Sequence, residues 1–180
     1  MRPRLLVLNG PPAVGKSTLA RRFADEHPRA LRLDVDELRE AIPHWRETPE
    51  ESGLRARAAA VAMARAHLAA GQDVVIAQLY GGVDHLIELE ELARECDADF
   101  CEIVLVADVE ATTARFIERG GAPLDDVRAS PSGLDGVREL HARVERVRTQ
   151  RPGAVVVEPV WGDLDATYAA VLAAIQGQVS

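Results

Sequence analysis

The sequence predicts an α/β; three-layer α/β/α sandwich with a five-stranded, mostly parallel sheet, and three observations carry that reading. Five short apolar runs, over residues 5–8, 30–34, 74–77, 103–107 and 155–157, alternate with longer stretches of helical periodicity. Parallel strands require such crossover connections. Leu5–Leu8 and Ile103–Ala107 are apolar at consecutive positions, as in strands covered on both faces. Finally, Leu5–Leu8 runs into Gly10-Pro11-Pro12-Ala13-Val14-Gly15-Lys16-Ser17 and then an amphipathic helix, a strand–loop–helix order.

Taken in turn, Leu5–Leu8 is expected at the middle of the sheet. The helix over 16–26 buries Leu19, Ala20 and Phe23, turns Arg21, Arg22, Asp25 and Glu26 to water, and stops at His27-Pro28. The strand at 30–34 points Leu31 and Leu33 inward and enters a short helix over 35–42. A break with Pro43, Pro49 and Gly53 precedes an alanine-rich helix over about 52–70, for which Leu54, Ala58, Val61 and Leu68 are the expected buried stripe. After the strand at 74–77, a helix over 83–96 carries Leu86, Leu89 and Leu92 inside. The strand at 103–107 leads to a helix over 109–119, and a Gly/Pro-punctuated loop over 120–131 leads to a helix over 133–149. The last strand, 155–157, is followed by a helix over 163–177, capped by Asp163, with Leu164, Tyr168, Val171, Leu172 and Ile175 on one face. Repeats and linkers are absent from the sequence, so residues 1–180 read as a single domain.

The composition bounds the function. With 47% hydrophobic and 28% charged residues the chain is globular,. A net charge of −8 and a pI near 5.1 argue against a partner held mainly through its phosphate backbone,. Cys96 and Cys101 have neither the count nor the spacing of a zinc site or disulfide scaffold, and His27, His44, His67, His85 and His141 lack ligand spacing. Both thiols are expected in the core, in a reducing cytoplasm. No apolar run reaches membrane-spanning length and no signal peptide precedes the first strand, so the expected location is cytoplasmic, away from any membrane.

The loop at 10–17 fits G-x-x-x-x-G-K-[ST] at every fixed position. Its glycines fold the backbone into a nest of N–H donors, and the next helix adds its positive end, making an anion site for di- and triphosphates. The expected contacts run from Gly10 through Thr18. Lys16 reaches the β- and γ-phosphates, and the Ser17 hydroxyl takes one position on Mg²⁺. Asp34, three residues before Glu37, resembles a capping box in which Asp34 caps the helix at 35–42 and Glu37 reaches back. Asp36 is then left at the carboxyl rim of a strand expected beside the P-loop strand, placed to orient an acceptor hydroxyl and take its proton. Open parallel sheets bind ligands at that rim, built here from Asp36, Arg39, His44 to Arg46, Gln78 and Tyr80. Trp45 and Tyr80 are candidates to sandwich a ring of the acceptor.

In layout nearly the whole chain resembles the small P-loop kinases: shikimate, gluconate and nucleoside monophosphate kinases, chloramphenicol phosphotransferase and the kinase domain of polynucleotide kinase. The likeness is residue-specific in three places. These are the P-loop; Asp34-Val35-Asp36-Glu37-Leu38-Arg39, similar to the stretch where that group places a catalytic carboxylate and a substrate-binding basic residue; and Ala114-Arg115-Phe116-Ile117-Glu118-Arg119-Gly120, similar to its lid helix. The resemblance implies ATP and Mg²⁺ as cofactors, a mobile lid over about 115–131 from which Arg115 and Arg119 act on the transferred phosphoryl group, Arg119 also touching ATP, and an adenine site near Trp161. Arg128 is a further lid candidate. The sequence departs from the group at the third strand, where Val75-Ile76-Ala77-Gln78-Leu79-Tyr80 has no acid, leaving Asp34 or Asp36 to serve Mg²⁺ through water.

The expected function is ATP-dependent transfer of the γ-phosphoryl group to a hydroxyl of a small molecule, whether a nucleoside, a sugar or polyol, or an antibiotic-like compound. Two alternatives stand beside it: a polynucleotide 5′-hydroxyl kinase, suggested by the Asp36/Arg39 spacing and opposed by the acidic charge, and a P-loop ATPase or nucleotide switch acting through a protein partner, opposed by the missing third-strand acid. Either a monomer or a homodimer fits the sequence.

Overall fold

The computed structural model describes residues 2–118 and 133–178. Its five strands are β1 (Arg4–Asn9), β2 (Leu31–Leu33), β3 (Val74–Ala77), β4 (Asp99–Leu105) and β5 (Val155–Val157). They form one sheet in the order β2-β3-β1-β4-β5, and each neighbouring pair is parallel. β1 is central, as its apolar run predicts. β2 is an edge strand paired with β3, not a neighbour of β1; three residues bury too little to hold an interior position. β4 begins at Asp99, four residues before the apolar run, because Asp99 to Val104 pair in register with Arg4 to Asn9 and the backbone ladder does not depend on side-chain polarity,.

Helices α1 (Lys16–Glu26), α2 (Val35–Glu40), α3 (Pro49–Ala69), α4 (Asp84–Glu95), α5 (Val109–Glu118), α6 (Gly133–Gln150) and α7 (Leu164–Gln178) connect the strands. The pleat divides the apolar strands between two cores. Leu5 and Val7 of β1 join α3, α4 and Val147 of α6 on one face, while Leu6 and Leu8 join Leu19, Ala20 and Phe23 of α1 and Tyr168, Val171 and Ile175 of α7 on the other. That makes three layers, and it explains why the central strands show no alternation in sequence.

Two expected helix faces differ. On α3 the buried stripe is Ala56, Ala60, Ala64 and Leu68 at i, i+4 spacing, whereas Leu54 is 58% exposed and Ala58 is also exposed. Choosing the largest apolar residues misplaces the face, because α3 contacts β1, β2, β3, α2 and α4 together and close approach to so many neighbours favours small side chains. On α7 Asp163 accepts from the Ala166 N–H at 2.8 Å as the expected cap, but Leu164 is 42% exposed, lining an open cleft instead of the core.

Ala60, 3% exposed, has no room to grow. Ala60→Leu is expected to cost about 1–3 kcal/mol by overpacking, whereas Leu54→Ser stays within about 0.5 kcal/mol. Urea unfolding of the two variants checks this, and the reverse order would restore the larger apolar stripe.

Candidate active site

The site begins where β1 ends. Asn9 is fully buried, and its carboxamide is spent on backbone: Oδ1 accepts from the Gly10 N–H at 2.8 Å and the Tyr80 N–H at 2.9 Å, while Nδ2 donates to the Tyr80 carbonyl at 3.4 Å. The exit of β3 is thereby tied to the start of the loop. The sequence offered one clue to this role, a carboxamide at the end of an otherwise apolar strand, and reading the loop from Gly10 onward overlooks it.

Gly10 is required by contact: a Cβ there would lie 2.6 Å from the Leu105 carbonyl oxygen. Gly15 has φ +102°, where other residues are strained, and Ala13 adopts φ 59°,. These left-handed turns bring the loop to the start of α1, which has no side-chain cap and no acid in its first turn. Its leading N–H groups are therefore presented to a ligand, as an anion site requires. Ser17 and Thr18 are exposed on that first turn.

Lys16 folds back over the loop, its Nζ donating to the carbonyls of Gly10 at 2.8 Å and Pro11 at 2.7 Å. Burial lowers its pKa to about 8, opposed by the charges of Asp36 and, less strongly, Asp34. Asp36 thus acts on Lys16 from across β3, although β2 is two strands away from β1.

Asp34 takes the capping place that the local pattern predicts. Asp34 caps α2, its Oδ1 accepting from the N–H groups of Asp36 at 3.1 Å and Glu37 at 3.5 Å, and Arg32 stands 3.7 Å from its Oδ2. Glu37 does not reach back; Arg32 holds both of its carboxylate oxygens, at 3.0 and 3.1 Å. An ion pair to the guanidinium replaces the second half of the capping box. Both carboxylate oxygens of Asp34 are thus engaged, Oδ1 by the cap and Oδ2 beside Arg32. The oxygens of the Ser17 hydroxyl and the Asp36 carboxylate suit Mg²⁺, which prefers hard donors and retains waters. Among the described residues no group of three His, Cys, Asp or Glu side chains is placed to hold a metal by itself.

On the acceptor side Arg39 lies 4.0 Å from Asp36 and over the Trp45 ring at 4.8 Å, with Arg46 over the same ring at 4.2 Å. Trp45 is 7% exposed and its carbonyl receives the Ser52 hydroxyl at 3.0 Å. Tyr80 is 6% exposed, and burial pushes its phenol well above the usual range. The expected ring sandwich is therefore absent: both rings are packed into the protein, and Trp45 serves as a platform that two guanidinium groups cover. Gln78 is half-buried at the end of β3, its N–H donating to the Leu8 carbonyl at 3.2 Å.

Beyond the loop, Val14, Gly15, Thr18 and Leu19 form one wall of a cleft of about 280 Å³ whose other wall is Pro159–Gly162 and Thr167. Arg115 of α5 closes it, its guanidinium carbon 3.9 Å from the centre of the Trp161 ring. Arg115 thus stands beside Trp161 in the cleft that Gly15 and Thr18 also line. Arg119 and Arg128, with the lid from 119 onward, lie outside the described residues. Behind α5, His141 of α6 meets the Thr112 hydroxyl at 2.6 Å. Burial lowers the His141 pKa, Asp108 opposes that shift and Lys16 reinforces it, so the imidazole is neutral near pH 7.

A family profile described as an AAA domain matches residues 5–158. The chain is 30% identical over 120 residues to L-seryl-tRNA(Sec) kinase of Methanococcus maripaludis; the match takes in 64% of this chain and 46% of that protein, so the chain spans less than half of that relative. Among solved structures it resembles Chaetomium thermophilum Kti12 in complex with ADP-AlF3, with a TM-score of 0.70, 20% identity and coverage of 98% of this chain and 99% of that one. It also resembles a gluconokinase from Sinorhizobium meliloti 1021, with a TM-score of 0.64, 19% identity and coverage of 98% and 93%. Both structural likenesses concern the fold.

The Lys16 ammonium generates a pH prediction. Polyphosphate favours its charged form, so nucleotide affinity is full below about pH 8 and falls as pH rises through that value, by at most about tenfold per pH unit. The unfolded chain holds the Lys16 proton up to its ordinary pKa of 10.5, so this group makes stability rise with pH between those two values. Titration calorimetry at pH 9 in two buffers of different ionisation heat is expected to show proton uptake on ATP binding. Uptake equal to that at pH 6.5 would place the ammonium elsewhere.

Proposed function

The chain belongs to the AAA domain family of P-loop kinases, and on that premise we propose that it moves the γ-phosphoryl group of ATP to a hydroxyl of a small molecule. The observation that carries the reading is the phosphate loop itself, with Lys16 folded onto its carbonyls and the charge of Asp36 acting on the ammonium. Lys16 lies on the loop, and Asp36, at the acceptor rim, is the carboxylate acting most strongly on it. A nucleotide switch needs the cation but has no use for an acid on the acceptor side.

The loop N–H groups and the start of α1 receive the phosphates, and Lys16 exchanges the carbonyls of Gly10 and Pro11 for phosphate oxygens. Mg²⁺, when bound at Ser17, neutralises charge on the phosphate oxygens. Asp36 accepts the acceptor's hydroxyl proton as its oxygen bonds to the γ-phosphorus and the bond from that phosphorus to the ADP oxygen breaks. Arg39 steadies Asp36 from the Trp45 platform. The nucleobase enters the cleft at Trp161, where Arg115 closes over it, so Arg115 is read as part of nucleotide binding.

A second reading rests on one observation, the 30% identity to a kinase whose named substrate is L-seryl-tRNA(Sec). There the acceptor hydroxyl would be carried on an RNA. The net charge of −8 weighs toward a free small molecule, since RNA binding draws on basic surface.

Asp36→Asn is expected to lower kcat by about a hundredfold or more, because proton transfer by a positioned base is worth roughly 10² to 10⁴, with ATP affinity nearly unchanged. Steady-state kinetics on a panel of hydroxyl compounds and on aminoacyl-tRNA tests it; normal turnover together with a dead Asp34→Asn would reverse the two roles.

Trp161 generates a separate expectation. Stacking on an aromatic ring is worth about 1–3 kcal/mol per base, so Trp161→Ala raises the Kd for ATP by roughly tenfold or more, and Arg115→Ala raises KM for ATP more than it lowers kcat. ATP should change Trp161 emission, the Trp45 ring being buried; an unchanged spectrum and Kd would move the base out of this cleft.

A further inference from the structure

Helix α5 meets the rest of the protein through a buried polar contact. Of Val109 to Phe116 only Thr112 is buried, and neither apolar core takes in a described residue of α5. Apolar burial therefore does little to fix how this helix is rotated over the end of the sheet. Thr112 is fully enclosed, and its hydroxyl lies 2.6 Å from His141 Nε2. The imidazole belongs to a firmly seated element, since Val137, Leu140, Val144 and Val147 of α6 are all buried. On its own helix Thr112 Oγ1 stands 3.0 Å from the carbonyls of Asp108 and Val109, and Asp108 caps that helix by accepting from the Ala111 N–H at 3.0 Å. One turn beyond Thr112 is Arg115, whose guanidinium lies over the Trp161 ring.

Residues three apart on a helix are neighbours on its surface, so whatever fixes Thr112 also fixes the direction in which Arg115 leaves the helix. A hydrogen bond sets distance and direction, where apolar contact sets neither. We propose that His141 is a positioning residue for the nucleotide site: through Thr112 it sets the rotation of α5 and so holds Arg115 on Trp161, the contact that closes the cleft. The consequence for nucleotide binding rests on the kinase reading above, whereas the contact itself belongs to the ligand-free protein. His141 needs to touch neither base nor phosphate to act in this way. Asp108 and Lys16 are the charged groups that act on its imidazole. Because Thr112 Oγ1 can turn its proton to either backbone carbonyl, the bond persists whether His141 Nε2 accepts or donates.

The whole chain is compared with its His141→Leu, His141→Gln, Thr112→Val and Arg115→Ala variants. Leucine keeps the bulk of the imidazole without a hydrogen-bonding nitrogen, whereas glutamine can place an amide near Nε2 and retain the bond. The Thr112 hydroxyl keeps its two backbone acceptors when the imidazole is removed, so His141→Leu is expected to fold, and Thr112→Val against His141→Gln makes the same comparison independently. In ligand-free protein the emission of Trp161 is expected to move in His141→Leu and Thr112→Val toward that of Arg115→Ala, and to stay near the wild type in His141→Gln; Trp45 contributes the same background throughout. Titration with ATP and with tripolyphosphate, which fills the loop but carries no base, then reads the consequence. ATP affinity is expected to fall about three- to tenfold in His141→Leu, the scale of one lost hydrogen bond, with tripolyphosphate affinity unchanged. Made in Arg115→Ala, the same substitution is expected to weaken ATP no further. Trp161 emission unaltered in Arg115→Ala or in both His141→Leu and Thr112→Val, an equal loss of ATP and tripolyphosphate affinity, or a loss that adds in full to that of Arg115→Ala would make the bond a packing feature and overturn the inference. A lowered melting temperature with emission and affinities intact would do the same. Wild-type protein that binds neither ATP nor tripolyphosphate would overturn the kinase reading, a distinct outcome seen before any variant is compared, and the emission comparison would still decide what holds Arg115.

Discussion

The structure depends on the junction at which β1 becomes the phosphate loop. Gly10 sits so close to the Leu105 carbonyl that no side chain fits, and the Asn9 carboxamide ties the same point to Tyr80 at the exit of β3. Three adjacent strands are thereby registered at their carboxyl ends by groups with no freedom to move apart. Buried carboxamide bonds of this kind gain little over water, but an orphaned backbone N–H in the same place is costly, so the junction is specific more than it is strong. The loop can adopt its left-handed turns because its two ends are fixed before any ligand arrives.

From that junction the charges are set out in a sequence of partners. Lys16 is withdrawn into the loop's own carbonyls, where burial erodes its preference for the proton and Asp36 restores part of it. Asp36 is next to Arg39, which lies on Trp45, with Arg46 on the same ring. Asp34 and Glu37, although neighbours in sequence, are engaged with the cap of α2 and with Arg32. The result is one acid whose charge acts on the loop ammonium and two acids engaged at the helix that carries it. Across the loop another cation, Arg115, is likewise held by a ring, Trp161. In each case the ring face attracts the guanidinium without competing for its N–H donors.

Much of this could be read from the residues alone. The P-loop, the parallel α/β architecture, the central place of β1 and the capping by Asp34 and Asp163 follow from local chemistry: glycines where φ must be positive, a Lys and a Ser at fixed offsets, consecutive apolar residues where both faces are covered, and short polar side chains where helix N–H groups lack partners. The family likeness over residues 5–158 agrees with what those motifs implied. Each of these features is decided within a few residues of chain, so the sequence contains its whole cause.

Features decided between distant segments were not legible. Pairing order placed β2 at the edge, beyond β3, because strand neighbours are set by crossover packing rather than by chain order. The Ala56–Ala60–Ala64 stripe on α3 emerged only where five other elements press on that helix. Trp45 and Tyr80, ligand candidates by sequence, are buried, while Asn9, an ordinary carboxamide by sequence, ties the loop to the exit of β3. The sequence by itself determined the phosphate-binding loop and the parallel α/β frame, since motif and propensity act locally. Only the tertiary structure decided which polar groups are desolvated and what faces them, because burial and charge pairing belong to residues brought together from separate parts of the chain.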